Sequence, residues 1–380
     1  MQNLRDTLAS QRQQGLYRQR YCVDNRKANA IVVNGKSYTN FSSNDYLGLA
    51  DDARLVTAFK QGADRYGVGS SASQLITGYS KAHQECEERL ADFLGYPRTL
   101  LFATGYMANV GTISTLASRN SQLFIDRRCH ASLIDAAILS RAHTKRYHTN
   151  DFDTLAEKII DDSMLITDSV FSMDGDIAPL QQLSSLCKKH SSYFYVDDAH
   201  GFGILGKTGK GCLEHCELDN SDVDIYVGTL GKACGTAGAF VCGSEELIET
   251  LIQKARSLHY STAAPPAIAH ATLTSLDIIE NETWRREHIA NLIKRFRQGA
   301  KQLGLQLTES ETPIQAVILG DNQTTLTASE KLKSQGCYVT AIRPPTVAKG
   351  MARLRITLCA NHTEDDIEQL LNSLENVLVS

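Results

Sequence analysis

From about residue 80 onward, short apolar runs alternate with helical patterns, and no other feature of the chain restricts the possible folds as much. Runs at Thr99–Ala103, Gln122–Ile125, Met164–Thr167, Tyr193–Val196, Ile225–Val227 and Ala239–Cys242 have the length of buried strands. Helical spacing fills most of the gaps, at Met107–Ala117, Ser132–Ser140, Leu155–Ile160 and Leu180–Lys189. A parallel pair of strands needs a long crossover, and a helix is the usual one, so the alternation predicts a mainly parallel sheet covered on both faces. Ser80–Leu94 adds a preceding amphipathic helix, with Ala82, Cys86, Leu90 and Phe93 on one face.

The flanks read differently. Leu4, Leu8 and Gln11 suggest a helical arm. Ala30-Ile31-Val32-Val33 and Lys36-Ser37-Tyr38-Thr39 then flank Asn34-Gly35, a two-residue hairpin turn whose central positions both need positive φ. Ala263-Ala264-Pro265-Pro266 breaks the pattern, and one long helical stretch is expected from Ala267 to Leu303. Strand-like segments follow at Ala316–Leu319, Tyr338–Ala341 and Leu354–Thr357, and a capping box at Thr363 and Asp366 opens a last helix. The expected organisation is an arm and hairpin over residues 1–45, a large α/β domain over 46–270 and a smaller α+β domain over 271–380.

Composition removes several function classes. Across 380 residues, the formal charge of -4 offers no basic excess for nucleic acid. No apolar run is long enough to span a bilayer, and Met1–Gly15 is polar rather than signal-like. Ten scattered cysteines without a CxxC pair read as reduced thiols, and the expectation is a cytoplasmic enzyme. Cys212, His215 and Cys216 lack a second ligand pair, so no metal is expected. Gly67-Val68-Gly69-Ser70-Ser71 lacks the full dinucleotide fingerprint.

In open parallel sheets, ligands bind beyond the carboxyl ends of the strands. Gly105-Tyr106, Ser172, Asp197-Asp198-Ala199-His200 and Thr229-Leu230-Gly231-Lys232 all stand just past predicted strand ends. Lys232 among small residues reads either as a nucleophilic amine beside a cofactor or as a solvated loop lysine. Asp197 reads either as the partner of a protonated pyridine nitrogen or as the cap of the next turn. The turn at Gly105-Tyr106 would place helix N–H groups toward a phosphate. His130, just before a helix, is either a ring-stacking group or an ordinary capping histidine.

Taken jointly and in this order, the motifs resemble the α-oxoamine synthase family of fold type I pyridoxal phosphate enzymes. The resemblance rests on Asn44-Asp45-Tyr46-Leu47-Gly48-Leu49, Gly78-Tyr79-Ser80, Gly105-Tyr106, Phe171-Ser172-Met173-Asp174-Gly175-Asp176, Asp197-Asp198-Ala199-His200-Gly201, Thr229-Leu230-Gly231-Lys232 and Tyr260-Ser261-Thr262. It implies that Lys232 captures the cofactor's aldehyde, Asp197 holds the pyridine nitrogen, His200 bonds the phenolic oxygen and His130 stacks on the ring. Gly105, Tyr106, Ser172 and Thr229 would bind the cofactor, largely around its phosphate. Ser261 and Thr262 would reach that phosphate from the neighbouring subunit of a homodimer.

Phe41-Ser42-Ser43-Asn44-Asp45-Tyr46 and Ala341-Ile342-Arg343-Pro344-Pro345-Thr346-Val347 resemble the biotin-pathway member of the family. That implies L-alanine and a pimeloyl thioester as substrates, the acyl carrier being acyl carrier protein or coenzyme A. Arg18, Asn44, His130, Thr346 and Arg355 would contact substrate, with Arg355 on the amino-acid carboxylate. The chain departs from the family pattern at Ala233-Cys234-Gly235 and at Gly69-Ser70-Ser71-Ala72-Ser73-Gln74. These changes imply altered packing or acyl selectivity.

Overall fold

The buried apolar runs do pair. In the computed structural model, which describes residues 3–149 and 151–379, seven strands form one sheet. Their order is Arg98–Phe102, Ala239–Gly243, Ile225–Thr229, Tyr193–Asp197, Met164–Asp168, Gln122–Asp126 and His143–Tyr147. Ala239–Gly243 is antiparallel to both neighbours, and every other pair is parallel. Six of the strands match expected runs. The seventh, His143–Tyr147, has four exposed residues out of five. As an edge strand it needs no apolar face, so the hydrophobic pattern could not reveal it.

The chain divides into two compact units. The sheet unit comprises Leu47–Ser172 and Ile177–Arg286. Its core joins sheet residues such as Leu123, Ile166 and Val227 to Ala108, Ile113 and Leu133 from helices Gly105–Leu116 and Ala131–Ser140. The expected long helix is two helices, Pro266–Asn281 and Thr283–Gln302. Glu282 leaves helical geometry between them, and its carboxylate accepts from Arg54 and Arg285. Helical periodicity continues through such an interruption, which is why spacing alone missed it.

The second unit comprises the described residues up to Tyr46, Met173–Asp176 and Glu287 onward. Asn34 and Gly35 both take positive φ, closing the hairpin Ala30–Val33 and Lys36–Asn40. The expected strand at Tyr338–Ala341 is divided. Cys337–Tyr338 pairs with Lys36–Asn40, and Thr340–Ile342 pairs with Ala352–Thr357, which also pairs with Ile314–Gly320. Thr363 and Asp366 form the capping box of Glu364–Leu378.

Candidate active site

Strand register brings the polar groups together. Asp168 and Asp197 are Cα partners at the ends of adjacent parallel strands, and Thr229 ends the next one. Gly105, His130, Ser172, His200 and Lys232 follow the ends of strands in the same sheet. These residues, with Tyr106, Asn109, Ser132 and Ala199, line one cavity of about 200 Å³. All eight positions expected around the cofactor within one subunit therefore share a single cavity. Ser261 and Thr262 lie between the helices Arg256–His259 and Pro266–Asn281 and are not among its lining residues.

Lys232 Nζ lies 2.9 Å from His200 Nε2. The turn carrying Lys232 depends on Gly235, at φ +67, where a Cβ would meet the Ala50 backbone nitrogen at 2.5 Å. Neighbouring Ala233 and Cys234 are buried. Gln74, at the other departure from the family pattern, donates to the Leu101 carbonyl at 2.9 Å.

Asp197 caps the next turn and keeps its other oxygen on a buried amide. Its Oδ1 accepts from the Ala199 amide at 3.0 Å, closing the turn, and its Oδ2 accepts from Asn109 Nδ2 at 2.7 Å. Asp198 is turned away into the protein, accepting from Ser169, the Cys212 amide and Tyr226. Burial pushes its carboxyl up to about 6.

Asp168 accepts from the His130 amide at 3.1 Å, while its Oδ1 is buried without a hydrogen bond. Burial, and then the negative charge of Asp197, push its carboxyl far above the ordinary range. Sequence reasoning missed Asp168, although it ends its strand as Asp197 does. It also missed Asn109, the buried amide one turn after Gly105 in a helix otherwise rich in apolar residues.

On the phosphate side, Thr104 caps the Met107 amide, and Gly105 and Tyr106 form the first turn before it. Orphan N–H groups and the helix dipole favour an anion there. The Tyr106 hydroxyl donates to Asp135, so an anion at this turn would meet the residue's backbone N–H. Thr229 Oγ1 donates to the Gly238 carbonyl at 3.1 Å. A primary amine, a carboxylate and a helix N-terminus on one cavity fit a phosphorylated pyridine aldehyde.

The remaining candidates lie in the second unit. Both Arg355 Nη atoms stand 3.3 Å from Asn44 Oδ1, which also accepts from the Tyr46 hydroxyl at 3.3 Å. Burial raises that hydroxyl to about 12, against the lowering influence of Arg355. Arg18 Nη2 donates to Thr346 Oγ1 at 2.9 Å. Both line a cavity of about 680 Å³ whose walls also carry Arg12, Lys333 and Arg343. Arg343, which donates to the Gly15 carbonyl, is a cation that sequence reasoning did not single out as a site residue.

The profile of the aminotransferase class I and II family matches residues 36–374. The chain belongs to that family. It is 50% identical to the 8-amino-7-oxononanoate synthase of Pseudomonas putida (strain GB-1), over 97% of this chain and 95% of the relative. Serine palmitoyltransferase from Sphingomonas wittichii superposes with a TM-score of 0.93 at 32% identity, covering 98% and 96% of the two chains. The 8-amino-7-oxononanoate synthase of Francisella tularensis superposes with a TM-score of 0.80 at 34% identity, covering 89% and 97%. The fold is that of the fold type I pyridoxal 5′-phosphate enzymes, and the cofactor is pyridoxal 5′-phosphate. Among the described residues, no helix is long and apolar enough to cross a membrane.

Proposed function

We propose that this site condenses L-alanine with a pimeloyl thioester, giving 8-amino-7-oxononanoate, carbon dioxide and the free thiol carrier, as a step of biotin biosynthesis. The observation that carries the reading is the convergence of Lys232, His200, Asp197 and His130 on one cavity, in a chain half identical to synthases of that name. The bound cofactor supplies an aldehyde that captures an amine and a protonated ring that takes up the electron pair left at the α-carbon.

The side chains manage protons and position. Lys232 Nζ would hold the cofactor's aldehyde and would take the α-proton of alanine. Asp197 would hold the ring nitrogen and its proton. His200, 2.9 Å from Lys232 Nζ, stands where it can donate to the ring's phenolic oxygen, and His130 covers one face of the ring. Gly105, Tyr106, Ser172 and Thr229 bind around the phosphate. Arg355 takes the alanine carboxylate beside Asn44, its fork matching two carboxylate oxygens. Arg18 and Thr346 contact the acyl donor, and the cationic walls of their cavity suit a chain ending in a carboxylate.

The active unit in this reading is a cytoplasmic homodimer in which Ser261 and Thr262 serve the neighbouring subunit's phosphate. Support comes from their place outside their own subunit's cavity and from exposed Tyr260 beside them. Either coenzyme A or acyl carrier protein is the carrier. Purified holoenzyme is expected to release thiol and carbon dioxide from L-alanine with pimeloyl-CoA or pimeloyl-acyl carrier protein. Faster turnover of glycine with acetyl-CoA would move the chain to the glycine C-acetyltransferase branch.

A further inference from the structure

One amide connects the two groups expected on the cofactor ring. Asn109 is 1% exposed, and its Nδ2 donates both to Asp197 Oδ2 at 2.7 Å and to Ser132 Oγ at 2.8 Å. Its Oδ1 accepts from the Tyr195 hydroxyl at 2.7 Å, so both amide hydrogens are committed. With the amide oxygen on the Tyr195 hydroxyl, the nitrogen faces the Asp197 carboxyl, which accepts from it.

The next link follows from counting donors. Ser132 is 1% exposed, and its oxygen receives the Asn109 hydrogen, leaving its own hydrogen to give. His130 Nδ1 lies 2.8 Å away and also accepts from the Ser132 amide at 3.3 Å. A nitrogen that accepts from a backbone N–H carries no proton. In the neutral ring the proton therefore sits on Nε2, the tautomer set by the hydrogen bond at the other nitrogen. The His130 backbone is held separately, by Asp168.

From this continuous path we infer that Asn109 is a positioning residue that aims the Asp197 carboxylate and, through the Ser132 hydroxyl, holds the His130 ring in place. It acts through these two side chains. Its amide makes the carboxylate under the ring nitrogen and the imidazole over the ring face parts of one hydrogen-bonded unit. The inference rests on the pyridoxal phosphate reading of the cavity.

The test uses two variants of the full-length protein, with pyridoxal phosphate affinity titrated by absorbance across pH. Asn109→Asp keeps shape but replaces the donor with a group that loses its proton as pH rises. Its affinity is expected to fall roughly 10- to 100-fold from the acid to the alkaline end, the scale of a hydrogen bond to a charged group, over a range where the wild type changes little. Ser132→Ala leaves the bond to Asp197 in place. Its affinity should stay within about twofold of wild type while the pH midpoint of kcat moves, because the hydroxyl 2.8 Å from His130 Nδ1 is lost.

An Asn109→Asp protein with wild-type affinity and the wild-type pH profile would overturn the inference. So would a Ser132→Ala protein that loses the cofactor as strongly as Asn109→Asp does. Failure of the wild type itself to bind pyridoxal phosphate would instead remove the reading beneath it, so the two failures are distinguishable.

Discussion

The cavity around Lys232 measures about 200 Å³ and takes its polar groups from the ends of buried strands, whereas the cavity around Arg18 measures about 680 Å³ and takes part of its lining from an exposed amino-terminal segment. In the first, Asp197, Asn109 and Ser132 are buried and each polar atom has a defined partner. In the second, Arg18 is exposed and bonds a single threonine hydroxyl. A flat cofactor of one fixed shape can be held by groups set in a rigid sheet. A long flexible acyl chain suits a wide, wet cavity that attracts by charge. The difference teaches that substitutions in the first cavity should act on chemistry and in the second on acyl-donor binding.

The largest expected effect comes from Lys232→Ala, which should abolish turnover and the visible band of the bound cofactor, read by absorbance on the purified protein. Asp197→Asn comes next. Removing this carboxylate should lower kcat by roughly 10²–10³-fold, the scale of a preorganised electrostatic group, with the fold retained by circular dichroism. If Asp168 could substitute for it, the loss would be far smaller, and the role assigned to Asp197 would be wrong.

The second unit offers a graded pair. Arg355 is buried and bonded to Asn44, so Arg355→Ala should raise KM for alanine by about 10- to 100-fold. Exposed Arg18 gives less, and Arg18→Ala should raise KM for the acyl donor by roughly 2- to 5-fold, more so at low salt. Equal effects of the two on both substrates would erase the distinction drawn between them.

How much of this was legible in the sequence varied with burial. Six of the seven sheet strands are apolar because neighbours cover both faces, and their runs stood out. His143–Tyr147 did not, being polar and at the edge. The residues proposed for the cofactor were legible because each sits at or just past the end of an apolar run. Asp168 obeys the same rule but adjoins the Phe171–Asp176 motif, which drew attention to Ser172 instead. Asn109 and Ser132 were hidden for a different reason. Their roles depend on Tyr195 and Asp197 arriving from a distant strand, and no local spacing encodes that meeting.

The smallest expected effect lies outside both cavities and checks that stability and chemistry separate. Glu87 accepts from the Tyr79 hydroxyl and the Leu101 amide, and burial raises its carboxyl to about 7 from an ordinary 4.5. A carboxyl whose folded value is raised binds more protons in the folded state. Its favourable contribution is therefore complete below about 4.5 and is lost as pH climbs through about 7. Glu87→Gln should remove this dependence and raise stability on the alkaline side by about 1–3 kcal/mol, measured by denaturant unfolding, with kcat unchanged.

The most direct test of the central claim is to treat the holoenzyme with borohydride, which fixes an amine–aldehyde link as a stable secondary amine, and to map the labelled peptide by mass spectrometry. The pyridoxyl group is predicted on Lys232 and absent from Lys232→Ala. A label on another lysine, or a wild-type protein that takes up none, would contradict the account.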